Sequence, residues 1–394
     1  MTNVNAQQIK VLRIINRFNV GGPVYNVTYL SKYLPDNYET KLVGGCATES
    51  EYDARYILDH HGISAEILPS MSRKINLLGD IRTLFQLMRI IKTFKPNIVH
   101  THASKAGILG RIAARIMGVP VIVHTYHGHV FHGYFHPIIN RMVVLIERLL
   151  GKFSTMIITI SSAQHLEIID KYRIVPSKKA CIIPLGFDLS RFEASKVNRE
   201  SIRLEYSLKP HQTAVAIVGR LAPIKNHHLF IDAAALTHQK YPEDFMFYIV
   251  GDGELREALE TYVAENHPRL VNSLVFKSWV TDMIECYPAM DIVCLTSFNE
   301  GTPVSLIEAQ ASGIPVISTN VGGVKDIIDV NQTGLILQGN SSDELSKYLV
   351  ELHLNKNLRI KMSQNACNFV KEKFSYQRLV ADVHQLYTSL LANE

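Results

Sequence analysis

The feature that most constrains the fold is an alternation of short apolar runs with longer helical segments, which occurs twice along the chain. In the first half, β-branched runs such as KVLRIINRF, KPNIVHTH, VPVIVHTYHG and TMIITIS are separated by segments of helical period. The second half restarts the pattern with TAVAIVGRL, FMFYIVGDG, SLVFKSWV, MDIVCLTS and IPVIST. Because strands that alternate with helices form parallel βαβ units, each half predicts a doubly wound sheet.

The chain of 394 residues is long enough for two such domains. We therefore predict an α/β protein with two Rossmann-like domains that face each other across a cleft. The boundaries we expect are 1–190, 191–370 and a C-terminal helix, 371–394, that packs back toward the N-terminal domain. Ligands of parallel sheets bind at the carboxyl ends of the strands, so we expect the site in the cleft.

Composition narrows the class of protein. Hydrophobic residues are 47% and charged residues 20% of the chain, as in soluble globular proteins. The polar N-terminus does not resemble a signal peptide, and no apolar run reaches the ~18 residues of a membrane-spanning helix. The five cysteines are scattered without a Cys-x-x-Cys pair, which indicates a reducing compartment. We expect a cytoplasmic protein.

Charge is unevenly distributed between the two halves. Residues 1–190 carry 22 Lys and Arg against 12 Asp and Glu, a net of +10, whereas 191–394 carry 19 against 24, a net of −5. A basic half suggests an anionic partner, either nucleic acid or a membrane surface, although ordinary scatter is an alternative. Several cations surround one helical segment: Arg73, Lys74, Arg82, Arg89, Lys92 and Lys95.

The stretch NEGTPVSLIEAQASGIPVIS follows an apolar strand and predicts a helix that begins at its carboxyl end. Thr302 is the expected N-cap and Pro303 the first helical residue, with the helix running through Ala311 and ending before Gly313. Backbone amides and the helix dipole then form an anion site suited to a diphosphate, and Gly301 allows close backbone approach.

Two carboxylates in this stretch need a partner other than phosphate. Glu300 can accept hydrogen bonds from sugar hydroxyls, and Glu308 can accept a pair from a ribose diol. The spacing thus suggests a nucleotide diphosphate sugar. Alternatively, the two are a helix-capping and a surface carboxylate.

The loop VGRLAPIKN places Arg220 and Lys225 just past another predicted strand, where two cations can clamp a diphosphate. Solvated surface charges are the alternative. In NVGGPVYNV, Gly21 and Gly22 form a weaker phosphate-approach loop without the full Gly-x-Gly-x-x-Gly pattern.

Histidines are concentrated in one region. They are His100, His102, His124, His127, His129, His132 and His136. Zinc binding is an alternative here, but no ligand pair has the spacing of a finger or a zincin. We expect His127, at a strand end before Gly128, to face the cleft.

Together these motifs resemble family-4 glycosyltransferases of the GT-B fold over about residues 10–390. The matching segments are NVGGP, KPNIVHTH, HTYHGH, IPLGFD, VGRLAPIKN, VGDGELR, FKSWV and NEGTPVSLIEAQASGIPVISTNVGGVKDII. HGHVFHGYF is similar to a subgroup of bacterial polysaccharide and cell-surface enzymes. Two positions depart from the family pattern: Leu185 stands where an Asn is usual, and Pro23 follows the Gly pair.

The resemblance implies a retaining transfer of a hexosyl group from a nucleotide diphosphate sugar, most often UDP-linked, to a glycan or lipid-linked acceptor. The implied catalytic residues are His127, Arg220, Lys225 and Glu300. The implied donor-binding residues are Gly21, Gly22, Arg220, Lys225, Val280, Glu300, Gly301, Thr302, Pro303, Val304 and Glu308. In this assignment Arg220 and Lys225 hold the diphosphate, Glu300 the sugar hydroxyls and Glu308 the ribose. Val280 meets the base through its backbone, and His127 lies by the donor sugar.

No Asp-x-Asp motif occurs in the loops, so we expect no divalent metal and no other cofactor. The cations and helix amides would stabilise the departing diphosphate, whose oxygen helps to deprotonate the acceptor in a front-face transfer. The basic helical segment suggests peripheral contact with anionic lipid on the inner face of the membrane. The alternatives are a non-catalytic nucleotide-sugar-binding or partner subunit and an epimerase of the same fold. Nucleic acid is the least favoured partner, because the basic residues lack interleaved aromatics.

Overall fold

The computed structural model describes residues 8–19, 21–47, 53–72, 76–128, 137–195, 199–280, 282–339 and 341–393. The chain forms two compact units. The first comprises Met1–Phe187 with Phe374–Glu394, and the second comprises Asp188–Lys373. The predicted Arg73, Lys74, His129, His132 and His136 lie outside the described residues.

Unit 1 is built on a parallel sheet of seven strands in the order β3-β2-β1-β4-β5-β6-β7. The strands are β1 (Ile9–Arg17), β2 (Tyr38–Gly45), β3 (Ala65–Ile67), β4 (Ile98–His102), β5 (Val121–Tyr126), β6 (Met156–Thr159) and β7 (Ala180–Ile182). The helices are α1 (Gly22–Lys32), α2 (Arg55–His60), α3 (Leu77–Phe94), α4 (Ser104–Ile116), α5 (Pro137–Phe153), α6 (Ser162–Leu166) and, from the C-terminal end, α15 (Tyr376–Ala392).

Helices cover both faces of this sheet, which is why its central strands are continuous apolar runs. Leu12 and Ile14 of β1 pack with residues of α3 and α4 on one face. Val11, next to Leu12 in sequence, packs on the other face with Leu30 of α1 and Val383 of α15. The last helix of the chain is therefore part of the core of the first unit.

Unit 2 is built on a parallel sheet of six strands in the order β10-β9-β8-β11-β12-β13. The strands are β8 (Thr213–Val218), β9 (Phe245–Val250), β10 (Leu274–Lys277), β11 (Ile292–Leu295), β12 (Val316–Thr319) and β13 (Gly334–Leu337). The helices are α7 (Ser190–Ser195), α8 (Arg199–Glu205), α9 (His227–Lys240), α10 (Arg256–Asn266), α11 (Val304–Ala311), α12 (Val324–Ile327), α13 (Ser342–Leu354) and α14 (Lys356–Phe374).

The predicted α/β class and the two Rossmann-like sheets are confirmed. The C-terminal segment differs in detail from a single helix over 371–394. Helix α14 continues to residue 374, and Ser375 then begins a new helix by accepting a hydrogen bond at its side chain from the Arg378 amide. No helix among the described residues is both long enough and apolar enough to cross a bilayer.

Candidate active site

In unit 2, the predicted cationic loop and the predicted acidic stretch follow two neighbouring strands. Strands β8 and β11 are paired in register, Val215 against Ile292, so the loops after them leave the same edge of the sheet. Hydrogen bonds join these loops: Phe298 N donates to Ile224 O at 2.9 Å, and the side-chain Oγ1 of Thr296 donates to Lys225 O at 3.0 Å.

Two of the predicted site residues, 75 positions apart in sequence, form an ion pair. Lys225 Nζ lies 2.6 Å from Glu300 Oε1, and the two side chains are 24% and 12% exposed. Ser297 Oγ donates to the same oxygen at 2.6 Å. Both contacts fall on Oε1 among the described residues, which leaves Oε2 available to accept from a ligand. An ammonium carries three donors, so Lys225 can also contact an anion.

Glu300 is held from its backbone as well. Gly323 N donates to Glu300 O at 3.3 Å, and Gly322, at φ 50°, lies directly against that carbonyl. A Cβ at Gly322 would overlap the Glu300 oxygen, and its backbone conformation is one that other residues rarely adopt. The segment after β12 thus fixes the loop that carries Glu300.

The helix predicted after this loop is α11, but its first residue differs from the prediction. Pro303, rather than Thr302, is the N-cap, because its ψ of 98° is extended, and the helix begins at Val304. Among the described residues, no side-chain hydrogen bond caps this end of the helix. Gly301, Thr302 and Val304 are half-buried, and the first-turn amides lie just after Glu300 in the chain.

Glu308 lies one helical turn into α11, where Tyr287 approaches it. Tyr287 Oη donates to Ser305 O at 3.0 Å and lies 3.3 Å from Glu308 Oε2. Burial raises the pKa of Glu308 to about 7, and the hydrogen bond from Tyr287 offsets only part of this effect. Near neutral pH such a carboxyl group is only partly ionised, and a ligand that stabilises its charge would increase the ionised fraction.

Two more residues of unit 2 were predicted to bind the sugar donor, and neither contacts the Lys225–Glu300 pair in the part of the chain that the structure describes. Arg220 is exposed, one residue beyond Gly219, and Val280 is half-buried after β10. The structure therefore brings Lys225 and Glu300 into contact, whereas it leaves Arg220 and Val280 without a shared contact with that pair among the described residues.

In unit 1, the predicted glycine loop opens helix α1. Gly21 is its N-cap and Gly22 its first residue. A Cβ on Gly22 would approach Leu185 Cδ1 to 2.9 Å, and Leu185 is only 3% exposed. The residue that departs from the family pattern thus packs tightly against this loop.

His127 is half-buried, follows β5 directly and contacts one of several fully buried histidines. Its Nε2 lies 3.0 Å from His102 Nδ1, and the His102 ring lies 4.1 Å from that of His100. His100 contacts Tyr387 Oη at 2.6 Å and Arg13 Nη1 at 3.2 Å. Burial lowers the pKa of His127 to about 3, and burial likewise holds the pKa values of His100 and His102 well below the usual range.

These histidines do not form a metal centre in the part of the chain that the structure describes. No group of three His, Cys, Asp or Glu side chains there has a metal-binding arrangement. His124, which belongs to the zinc alternative, instead contacts Thr101 Oγ1 at 2.8 Å.

Sequence reasoning missed several of these partners. Ser297 had a usable signal, since it is a polar residue that follows a buried strand three positions before Glu300. The sequence carries no such signal for the two tyrosines. Only tertiary folding brings Tyr287 to Glu308 and Tyr387 to His100.

The chain matches two family models in succession. Residues 20–191 match Glycosyltransferase Family 4, and residues 198–369 match Glycosyl transferases group 1. Over 334 residues, the chain is 33% identical to the Escherichia coli UDP-Gal:alpha-D-GlcNAc-diphosphoundecaprenol alpha-1,3-galactosyltransferase, covering 84% of this chain and 85% of the relative. It is also 26% identical over 353 residues to the Staphylococcus aureus capsular polysaccharide biosynthesis glycosyltransferase CapM, covering 86% and 88%.

Solved structures show the same fold. Anabaena HepE in complex with UDP superposes with a TM-score of 0.77 over 97% of this chain and 100% of that one, at 20% identity. The apo form of the lipopolysaccharide outer core galactosyltransferase WaaB gives a TM-score of 0.73 over 97% and 100%, at 15% identity. At these identities the likeness concerns the fold.

Proposed function

Because the chain belongs to the family-4 glycosyltransferases of the GT-B fold, we propose that it transfers a hexosyl group from a UDP-sugar, with retention, to a lipid-linked or polysaccharide acceptor. The observation that carries this proposal is the contact of Lys225 with Glu300 beside the amino end of α11. In this proposal the cation binds the diphosphate, and the carboxylate beside it accepts hydrogen bonds from sugar hydroxyls. The names of the relatives support the donor and the acceptor class, since one is a UDP-Gal enzyme that acts on a diphosphoundecaprenol-linked sugar.

The proposed transfer occurs on one face of the donor sugar. The bond between the anomeric carbon and the diphosphate oxygen breaks, and the acceptor oxygen bonds to the same face of that carbon. The acceptor proton passes to the departing diphosphate. Lys225, Arg220 and the amides of residues 301–304 other than Pro303 stabilise the charge on that leaving group. Glu300 orients the sugar and Glu308 the ribose, while no step requires a metal.

The other assigned contacts are part of this proposal. Val280 meets the base through its backbone, and Gly21, Gly22 and His127 approach the donor sugar. We further propose that the enzyme works at the cytoplasmic face of the membrane. There the cations of α3 and its C-terminal end meet anionic lipid. The described members of this set are Arg82, Arg89, Lys92 and Lys95.

The test is a thermal-shift screen against UDP-, GDP- and ADP-sugars, with and without EDTA. A ligand at 100 times its Kd adds about 2.7 kcal/mol to the free energy of unfolding, a shift of a few degrees in Tm. We expect a UDP-sugar to stabilise the protein equally with EDTA, and Lys225→Ala to reduce the shift. A protein that responds to none of these donors would refute the donor assignment and favour a partner-dependent or inactive subunit.

A further inference from the structure

Helix α5 of unit 1 carries an exposed apolar stripe that the sequence analysis did not single out. Its members are Ile139, Met142, Leu145, Ile146 and Leu149, which are 47%, 58%, 61%, 42% and 52% exposed. At ~100° per residue, these five positions fall within an arc of about 120° on the helix. Five large apolar side chains on one helix face form a contiguous surface, rather than the scattered single residues usual on protein surfaces.

The opposite side of α5 packs into the core. The negative charge that α5 carries is buried there and does not reach the surface. Glu147 is the helix's one acidic residue, and it is 2% exposed. Its Oε2 accepts from Arg111 Nη2 at 2.6 Å and from Tyr126 Oη at 2.6 Å. The cations of the helix, by contrast, are exposed along one edge of the stripe: Arg141, Arg148 and Lys152. The outer surface of α5 is therefore apolar and cationic.

The first half of α3 has the same character. Leu77, Leu78, Ile81 and Phe85 are 73%, 80%, 44% and 65% exposed, with Arg82 exposed beside them. Helix α4 connects the two, since its Lys105 pairs with Asp80 of α3 at 2.5 Å and its Arg111 pairs with Glu147 of α5. The apolar stripe of α5 and these four α3 residues thus belong to one three-helix layer of unit 1.

We propose that α5, together with the first half of α3, lies in the surface of an anionic lipid bilayer. The apolar side chains enter the boundary between headgroups and acyl chains, and the flanking cations contact lipid phosphates, as in interfacial helices. This inference deepens the proposed function, on which it rests, since a lipid-linked acceptor lies in the same surface. The proposed function includes only an electrostatic contact between the cations of α3 and the lipid. The inference adds the insertion of α5 and of the apolar side chains of α3 into the bilayer surface.

Charge favours a membrane over a second copy of the chain. In a symmetric dimer through this face, the patch meets itself, so the cations of α5 would face cations. Acidic headgroups instead complement them along the whole edge of the stripe.

The test is vesicle flotation with phosphatidylcholine vesicles that contain or lack phosphatidylglycerol. The test variant is Met142→Ser/Leu145→Ser/Leu149→Ser. The matched control is Leu204→Ser/Leu354→Ser, which removes leucines that are 76% and 63% exposed in unit 2. We expect the wild type and the control to float with anionic vesicles, and the α5 variant to bind at least tenfold more weakly. Arg141→Gln/Lys152→Gln should also weaken binding, but its deficit should disappear at high salt, where the charge contribution is screened.

A single-site probe covers the case in which the triple variant fails to fold. The Met142→Trp variant should show a blue-shifted emission on anionic vesicles and quenching by brominated acyl chains, beyond the signal of the native Trp279. The Leu204→Trp variant should show neither. Equal flotation of the triple variant and the wild type would overturn the proposal, and so would an emission spectrum of the Met142→Trp variant that anionic vesicles leave unchanged.

Two further outcomes separate this proposal from its alternatives. A wild-type dimer that the triple variant converts to a monomer, without flotation of either, would assign the stripe to a second copy. A UDP-sugar thermal shift without vesicle binding would refute the inserted surface alone, whereas binding without any donor response would refute the donor assignment alone.

Discussion

The two units hold their predicted site residues in opposite electrostatic states. In unit 2, Lys225 and Glu300 form a partly exposed contact between a cation and a carboxylate. In unit 1, His127 contacts the buried imidazole of His102, and desolvation lowers the pKa of His127 to about 3. One site keeps formal charge within reach of solvent, while the other is neutral throughout the physiological range.

Burial is the main cause of the neutral state of these histidines, and a nearby guanidinium adds to it for His100 and His102. The side chain of Arg13 is fully buried beside His100. Its Nη1 lies 3.2 Å from His100 Nδ1 and 3.0 Å from Tyr387 Oη. Protonating His100 or His102 would add a second positive charge beside this guanidinium in a desolvated core. His127 Nδ1 is buried without a partner among the described residues, so it can serve a ligand as a neutral hydrogen-bonding group.

The difference teaches where charge is useful in such an enzyme. A departing diphosphate gains negative charge and needs a fixed cation, which Lys225 can supply. A sugar hydroxyl needs only a neutral partner, and an imidazole that does not titrate keeps its hydrogen bond at every working pH. Changing the charge in unit 2 should therefore cost more than removing the imidazole in unit 1.

The largest effect is expected for Lys225→Ala. Loss of one cation aimed at the leaving group should cost about 2–4 kcal/mol of transition-state stabilisation, which is roughly a 30- to 1000-fold fall in kcat. Steady-state kinetics at saturating donor measure it. Lys209→Ala is the control, because it breaks a more exposed ion pair of unit 2, with Glu243 at 3.3 Å. Turnover near the wild-type level in Lys225→Ala would contradict the assigned role.

A smaller effect is expected for His127→Ala. Removing one neutral hydrogen-bonding group and leaving His102 Nδ1 unpartnered should cost about 1–2 kcal/mol, or roughly 5- to 30-fold in kcat. Because the pKa of His127 is about 3, this loss should be the same at mildly acidic and mildly basic pH. The exposed His211→Ala is the control. An acidic limb in the wild-type kcat profile that disappears in His127→Ala would show that the ring does titrate.

The sequence predicted the parts of the fold that depend on local pattern. Buried parallel strands such as β5 and β9 are continuous β-branched or aromatic runs, so each was visible without its neighbours. The edge strands β3 and β7 have three residues each, too few to show a period. The N-cap prediction was wrong by one residue, because Pro suits both positions and only its ψ angle distinguishes them.

At the candidate site, the sequence indicated residue types but not their partners. Lys225 and Glu300 were assigned to different groups of a ligand, and their contact depends on the pairing of β8 with β11. Tyr387 reaches His100 from 287 positions away, because α15 returns to unit 1. Contacts of this kind follow from topology, which single-sequence periodicity does not specify.

The smallest effect concerns Glu308, which is intermediate between the charged and the neutral site. Burial raises its pKa to about 7 from the ordinary value of 4.5, so protonation of Glu308 stabilises the folded state relative to the unfolded chain. That contribution is complete below about pH 4 and is lost as the pH rises toward 7. A ribose diol that donates to Glu308 favours the ionised form, so donor binding should release a proton.

The affinity for UDP-glucose, whose diphosphate is ionised throughout, should therefore rise by somewhat less than about tenfold from roughly pH 6 to 7.5 and then level off. Isothermal titration calorimetry measures this, with Glu308→Gln expected to be flat and the exposed Glu265→Gln expected to follow the wild type. An affinity that is independent of pH in the wild type would mean that Glu308 does not bind the ribose as a carboxylate. Unit 2 would then recognise its ligand through Arg220, the Lys225–Glu300 pair and the backbone.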